Sequence, residues 1–203
     1  MTGQDHPRIA FAYADELSEY QLSPQHPLQP IRLKHMHELM QATGLIDLPN
    51  ISSPHPRSAT RGEIESAHDL DYVFNVSAVS DGSLLPDTSK FGLGTSDNPI
   101  WTGMYDTTAL CVGTTLTASE LVMSGKADIG FAPAGGVHHH AMRRYASGFG
   151  IFNDAVIAMN AMVNAGLRIA YVDIDCHHGD GVQAGYYDSD QVLTISIHES
   201  GQW

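Results

Sequence analysis

Two short segments carry the residues that could do chemistry. Gly135-Gly136-Val137-His138-His139-His140 and Asp173-Ile174-Asp175-Cys176-His177-His178-Gly179-Asp180-Gly181 hold five of the twelve histidines and three aspartates. A packed core buries that much imidazole and carboxylate at high cost unless metal or hydrogen-bond partners offset it, so the pair reads as a metal-hydrolase active site. Along an extended strand, alternate side chains share a face. Asp173 and Asp175 therefore point the same way, and His177 continues the line if the chain stays extended. One carboxylate and one imidazole can reach one ion, and a catalytic zinc takes three protein ligands plus water, so a third ligand is expected from elsewhere. An oxygen-and-nitrogen donor set without thiolate suits zinc or ferrous iron. The Gly-Gly entry lets backbone approach closely, and histidines next to a metal are natural general bases. An Asp-x-Asp after a buried strand also fits a magnesium phosphotransferase, but such phosphatases need a hydroxyl where His177 stands, and no Gly-rich phosphate loop precedes a helix.

The elements that must position these residues are legible in outline. Residues 1 to 30 are polar and Pro-rich, with a loop at Ser23 to Pro27, and Ile31 to Gly44 reads as a helix closed by its glycine. Residues 77 to 101 read as a functional loop that forms a site rim. Gly103 to Ser124 is helical, Asp128 to Pro133 a short strand, Asn153 to Asn164 an apolar-striped helix with Gly166 past its end. Arg168 to Ile174 and Gln191 to Ile197 are strands. Strand, helix and strand in succession imply a parallel sheet with both faces covered. The polar clusters then fall at three successive strand carboxyl ends, where open α/β sheets bind ligands.

Composition sets the class. With 203 residues, 42% of them hydrophobic, the chain can bury a core as one large domain. A formal net charge of -13 disfavours nucleic acid. Neither a signal peptide nor a membrane span is read, and Cys111 and Cys176 offer one bridge at most, so no membrane partner and a cytoplasmic location are expected.

Taken together, several ordered motifs resemble the zinc-dependent histone deacetylase superfamily. They are Gly135 to Ala141, Ala146-Ser147-Gly148-Phe149, Asn153-Asp154 and Asp173 to Gly181, preceded by His26-Pro27-Leu28-Gln29-Pro30-Ile31-Arg32 and His68-Asp69-Leu70-Asp71-Tyr72. Phe91 to Thr95, Asp97-Asn98-Pro99 and Gly103-Met104 look most like its bacterial acetoin utilization branch. The resemblance runs from about Ile9 to Gln202.

The resemblance implies a three-layer arginase/deacetylase-type α/β fold with a central, mainly parallel sheet, incomplete at the C-terminus. It implies removal of acetyl groups from an acetylated lysine-bearing protein or a small acetylated amine. By position, Asp175 and His177 would bind Zn2+ or Fe2+, and His139 and His140 would act as general acid/base residues oriented by Asp173 and Asp180. Gly148 and Phe149 would line a substrate channel with Arg32 near its inner end, and Asp81 would grip substrate at the rim. The backbone around Asp173, Asp175, His177 and Ser196 resembles a K+ site.

There are departures from the family. Three histidines stand where the family has two; counting back from Ala146 favours His139 and His140 and leaves His138 as an insertion, and Gly150 replaces the family's usual Cys. The family's aspartate zinc ligand and oxyanion tyrosine lie downstream of the matched segment, so residues 1–203 are expected to be a truncated single domain, inactive alone. Acetylpolyamine hydrolysis and a non-catalytic binding remnant are the alternatives; a ureohydrolase would need an Asp-x-His-x-Asp arrangement that is not present. His35 and His37 are expected at the surface, His6 and His55 in loops, and Cys176 as a small buried residue.

Overall fold

The computed structural model describes residues 6–18 and 22–201. Gln202, where the resemblance ends, and Trp203 lie outside the described residues. Two parallel sheets form the frame. β1 (Ile9–Phe11) lies between β2 (Ile51–Ser52) and β3 (Ile129–Phe131), while β4 (Ile169–Asp173) pairs with β5 (Val192–Ser196). Among the described residues six α-helices accompany them: α1 (Ile31–Ala42), α2 (Arg61–Glu65), α3 (Leu70–Ser80), α4 (Met104–Met123), α5 (Asp154–Asn164) and α6 (Asp180–Tyr186). No helix among the described residues is long and apolar enough to cross a membrane.

Local chemistry explains most boundaries. Thr60 accepts from the Glu63 amide while the Glu63 carboxylate takes the Thr60 amide, a reciprocal cap that starts α2. Asn153 caps α5 through the Val156 amide. Gly44 and Gly166, both at positive φ, follow α1 and α5.

Three expectations need correction. The segment read only as polar and Pro-rich holds β1, the central strand of its sheet, with Ala10 and the following Ala12 fully buried. A strand of three residues gives too little alternation to announce itself. The polar stretch at 77–101 begins inside α3, and the loop starts at Asp81. β3 pairs with β1 and not with β4, so the successive strands do not form one continuous ladder.

Coverage of the sheets is also uneven. Around β1, α1 and α4 contribute Leu33 and Cys111 to one core with Phe11, Tyr13 and Leu17. β4 and β5 pack Ile169, Tyr171 and Val192 against α5 and α6. Their other face leaves Val172, Leu193, Ile195 and Ile197 exposed rather than covered.

The main core joins α3, α4 and α5 around Tyr72, Met104, Leu116 and Phe152. His68 sits in it, its ring against Tyr72 and Phe152, with Nδ1 3.1 Å from the Met142 carbonyl and Nε2 accepting from the Asn153 amide at 2.9 Å. It thus ties the segment after the histidine cluster to the start of α5. Burial pushes this imidazole down to about 4. The unfolded chain, with an ordinary histidine near 6.5, binds the proton first as pH falls, so neutral His68 stabilises the fold above 6.5 and that contribution is lost between 6.5 and 4. We expect His68 to contribute a slope of up to about 1.4 kcal/mol per pH unit to the unfolding free energy in that window. Urea denaturation of the wild type and His68→Gln across pH 4 to 7 measures it; equal slopes would show that His68 is not the group titrating.

Candidate active site

The loop after β3 and the end of β4 meet over a cavity of about 830 Å³. Its lining includes His139, His140, Gly148, Phe149, Asp173, Asp175, His177 and Arg32. Asp173 is the last residue of β4 and Asp180 the first of α6, so the strand end and the helix start hold two carboxylates in fixed positions.

Each of two adjacent imidazoles has its own carboxylate. His139 Nδ1 lies 2.8 Å from Asp173 Oδ2, and His140 Nδ1 lies 2.7 Å from Asp180 Oδ1. A carboxylate only accepts, so both Nδ1 atoms carry the proton and both Nε2 atoms keep a lone pair. His139 Nε2 stands 3.7 Å from Asp175 Oδ1. Burial opposes ionisation of Asp173, but donors from the Tyr171 hydroxyl at 2.6 Å, from His139 and from the Asp175 amide at 3.0 Å outweigh it and hold the carboxyl below its ordinary value. The Tyr171 phenol is correspondingly raised, first by burial and then by Asp173.

Asp175 and His177 form the open side. The Asp175 carboxylate accepts the His177 amide at 2.7 Å, and the His177 Nδ1 atom lies 3.1 Å away. Burial opposes the charge on Asp175, yet the two His177 contacts keep its carboxyl below the usual range. Among the described residues no group of three or more His, Cys, Asp or Glu side chains is poised to hold a metal ion. Asp175 and His177 offer one carboxylate and one imidazole, donor types a zinc or ferrous ion accepts but fewer than the three protein ligands a catalytic zinc takes.

Gly148 is required where it stands. Its φ is +48°, and a Cβ there would run into the His140 ring. Phe149 follows at φ 69°, an uncommon conformation for a bulky residue, with its ring edge-on to His26 at 4.7 Å. His26 is held by contacts with Leu28 and the Asp97 carbonyl.

Other expected residues fall differently. Asp81 ends α3, its amide bonded to Ser77 and Val79 carbonyls, and it does not line the cavity. Ser196 pairs in register with Asp173, but its hydroxyl faces His198 Nδ1 at 2.9 Å and the Gly179 amide, beside the cavity rather than in it. Cys176 is exposed, not buried, because the chain beyond β4 runs over the open face. Cys111 is buried, and both cysteines are free. His37 is not a simple surface residue, since its ring packs on Tyr13 at 4.3 Å.

Two supporting residues escaped attention in the sequence as site residues. Tyr171, two positions before Asp173 and hence on the same face of β4, was signalled only by strand alternation. Asn153 holds the Ala141 carbonyl just after the histidines at 3.0 Å, a contact between loop and helix with no local pattern.

His138, the extra histidine, is buried, and neither ring nitrogen has a hydrogen-bond partner. Burial pushes its proton affinity down and keeps it neutral. Its backbone also accounts for Gly150. A Cβ on Gly150 would come 3.1 Å from His138 Cα and 3.0 Å from both the Ala141 nitrogen and the Ser147 carbonyl oxygen. Position 150 is thus crowded by backbone atoms of three residues, His138 among them. Gly150→Cys alone should destabilise the chain by about 1–3 kcal/mol through overpacking. Combined with deletion of His138 it should cost less than the sum of the two single changes, a coupling read by thermal or urea unfolding of the four proteins. Additive costs would disconnect the two positions.

With this geometry in view, the chain matches the histone deacetylase domain over residues 26–203. It is 37% identical over 195 residues to the acetoin utilization protein AcuC of Bacillus subtilis (strain 168), covering 95% of this chain and 50% of that protein. It is 33% identical over 199 residues to the histone deacetylase clr6 of Schizosaccharomyces pombe, covering 97% and 48%. A crystal structure of an HDAC homolog from Aquifex aeolicus superposes with a TM-score of 0.84 at 31% identity, covering 94% of this chain and 51% of the other. A crystal structure of an HDAC homolog complexed with SAHA gives 0.83 at 31% identity, covering 95% and 51%. The chain spans about half the length of the curated relatives it matches. A fold with parallel strands and flanking helices shared with HDAC homologues, and a domain match over most of its residues, make this chain a member of the histone deacetylase family.

Proposed function

We propose that residues 1–203 belong to one deacetylase-type domain, of which they supply only part, and that the domain hydrolyses the acetamide of acetylated lysine or a related acetylated amine. The observation that carries this reading is the pair of imidazoles, each backed through Nδ1 by its own carboxylate, whose histidines line the cavity that Asp175 and His177 also line.

Asp175 and His177 would hold zinc or ferrous iron, with a third ligand from outside the described residues. When bound, such an ion supplies Lewis-acid polarisation of the amide carbonyl and of water. The chain's own residues handle the protons. His139 and His140 present Nε2 lone pairs, so one imidazole takes the proton of the attacking water and the imidazole pair returns a proton to the departing amine nitrogen as the C–N bond breaks. Acetate and free amine result. Asp173 and Asp180 stabilise each imidazolium and keep each ring in the required tautomer. Gly148 and Phe149 would form a channel wall for an aliphatic side chain, and Arg32 would stand near its inner end. Oxygens around Asp173, Asp175, His177 and Ser196 are the proposed K+ site.

The test joins this chain in one polypeptide to the half of the Bacillus subtilis relative that it does not cover. Zinc- or iron-dependent acetate release from an acetyl-lysine peptide is expected, and His139→Ala or His140→Ala should lower kcat by a factor of about 100 or more. Faster turnover of acetylated polyamines than of the peptide would reassign the substrate. A folded chimera that binds metal but releases no acetate from either substrate would leave a binding role and sink the hydrolase reading.

A further inference from the structure

Asn153 and Asp154 take no part in the proton chemistry above, yet both are 1% exposed and both side chains reach the histidine loop. Asp154 opens α5, and its carboxylate accepts the Gly136 amide, 3.2 Å from Oδ1 and 3.0 Å from Oδ2. The Thr115 hydroxyl of α4 donates to the same Oδ2 at 2.6 Å. Asn153, one residue earlier, donates through Nδ2 to the Ala141 carbonyl at 3.0 Å while its Oδ1 caps α5 through the Val156 amide. Gly136 and Ala141 flank the run from Val137 to His140. Two neighbouring residues at the start of one helix therefore grip the loop at its entry and at its exit.

Both glycines of the loop fit this grip. A Cβ on Gly135 would run into the Thr115 hydroxyl and the Asp154 carboxylate. Gly136 has φ +83°, the left-handed region that favours glycine, and from that conformation its amide reaches Asp154 while its carbonyl accepts the His139 amide at 3.1 Å. One peptide thus links the buried carboxylate to the backbone of His139. Without that carboxylate, the Gly136 amide and the Thr115 hydroxyl lose their acceptor.

We propose that Asn153 and Asp154 are positioning residues. From the start of α5 they hold the backbone of His139 and His140 where each Nδ1 meets its own carboxylate, Asp173 on β4 and Asp180 on α6. The role is geometric rather than one of charge, because an amide at position 154 also offers an acceptor for Gly136 and a partner for Thr115. Only the kinetic consequence rests on the hydrolase reading; the placement of the imidazoles does not require catalysis.

The experiment follows, by proton and nitrogen NMR of the full 203-residue chain without metal, the two imidazole Nδ1–H groups bonded to carboxylates. Asp154→Ala should lose or shift the His139 resonance in the folded chain, and Asp154→Asn should keep both. Asn153→Ser, which retains a cap for α5 but lacks the Nδ2 donor to Ala141, should disturb the His140 resonance and gives an independent reading if Asp154→Ala does not fold. Val76→Ala, a core truncation in α3, should lower stability and keep both resonances, which separates positioning from stability. In the chimera described above, Asp154→Ala should lower kcat by about 100-fold with KM unchanged, and Asp154→Asn should restore most of it. Resonances that survive in folded Asp154→Ala or in Asn153→Ser overturn the proposal, and so does Asp154→Asn proving as damaging as Asp154→Ala. A wild-type chimera that releases no acetate sinks the hydrolase reading alone, since the resonances still decide the placement.

Discussion

The contact between His139 and Asp173 is the constraint on which the site depends. It joins a loop that follows β3 to the last residue of β4, and these strands belong to separate ladders. A buried imidazole and a buried carboxylate 2.8 Å apart satisfy each other, and neither could be left alone in that position at tolerable cost. Tyr171 and the Asp175 amide give Asp173 two further donors, and Asn153 fixes the loop from the other side. His140 and Asp180 repeat the arrangement one residue along, with Gly148 admitting the His140 ring.

The supports behind these residues are hydrogen bonds set in a packed core, and they are unevenly distributed. His68 links the loop after the histidines to the α5 cap through two ring nitrogens, inside an aromatic core. By contrast, the Asp175 and His177 side chains lie on the open side, with half or more of each exposed. The two imidazole–carboxylate pairs are therefore held on several sides by the described residues, whereas Asp175 and His177 stand at an open approach.

Much of the site was legible because its residues come in contiguous clusters. His139, His140 and Asp180 follow strand ends and Asp173 is one, and strand ends are readable from runs such as Arg168 to Ile174. Asp81 stands at the junction of α3 and the loop, away from the cavity lining, because α3 extends further than its polar residues indicate. Cys176 was misread because a small residue after an apolar strand is usually buried, and here the face above β4 is open. β1 was missed because its three residues gain stability from two neighbouring strands and helices on either side, none of which is local information.

The sequence by itself determined the chemistry: which residue types are present, their order, the strands that end in them, and the family whose motifs they share. Only the tertiary structure decided partners. It gave each imidazole its own carboxylate, put Tyr171 behind Asp173, and buried His138 against the backbone at Gly150. The physical reason is range. Periodicity and motif spacing report what neighbours along the chain require of each other, whereas hydrogen-bond satisfaction and excluded volume are settled between residues tens of positions apart.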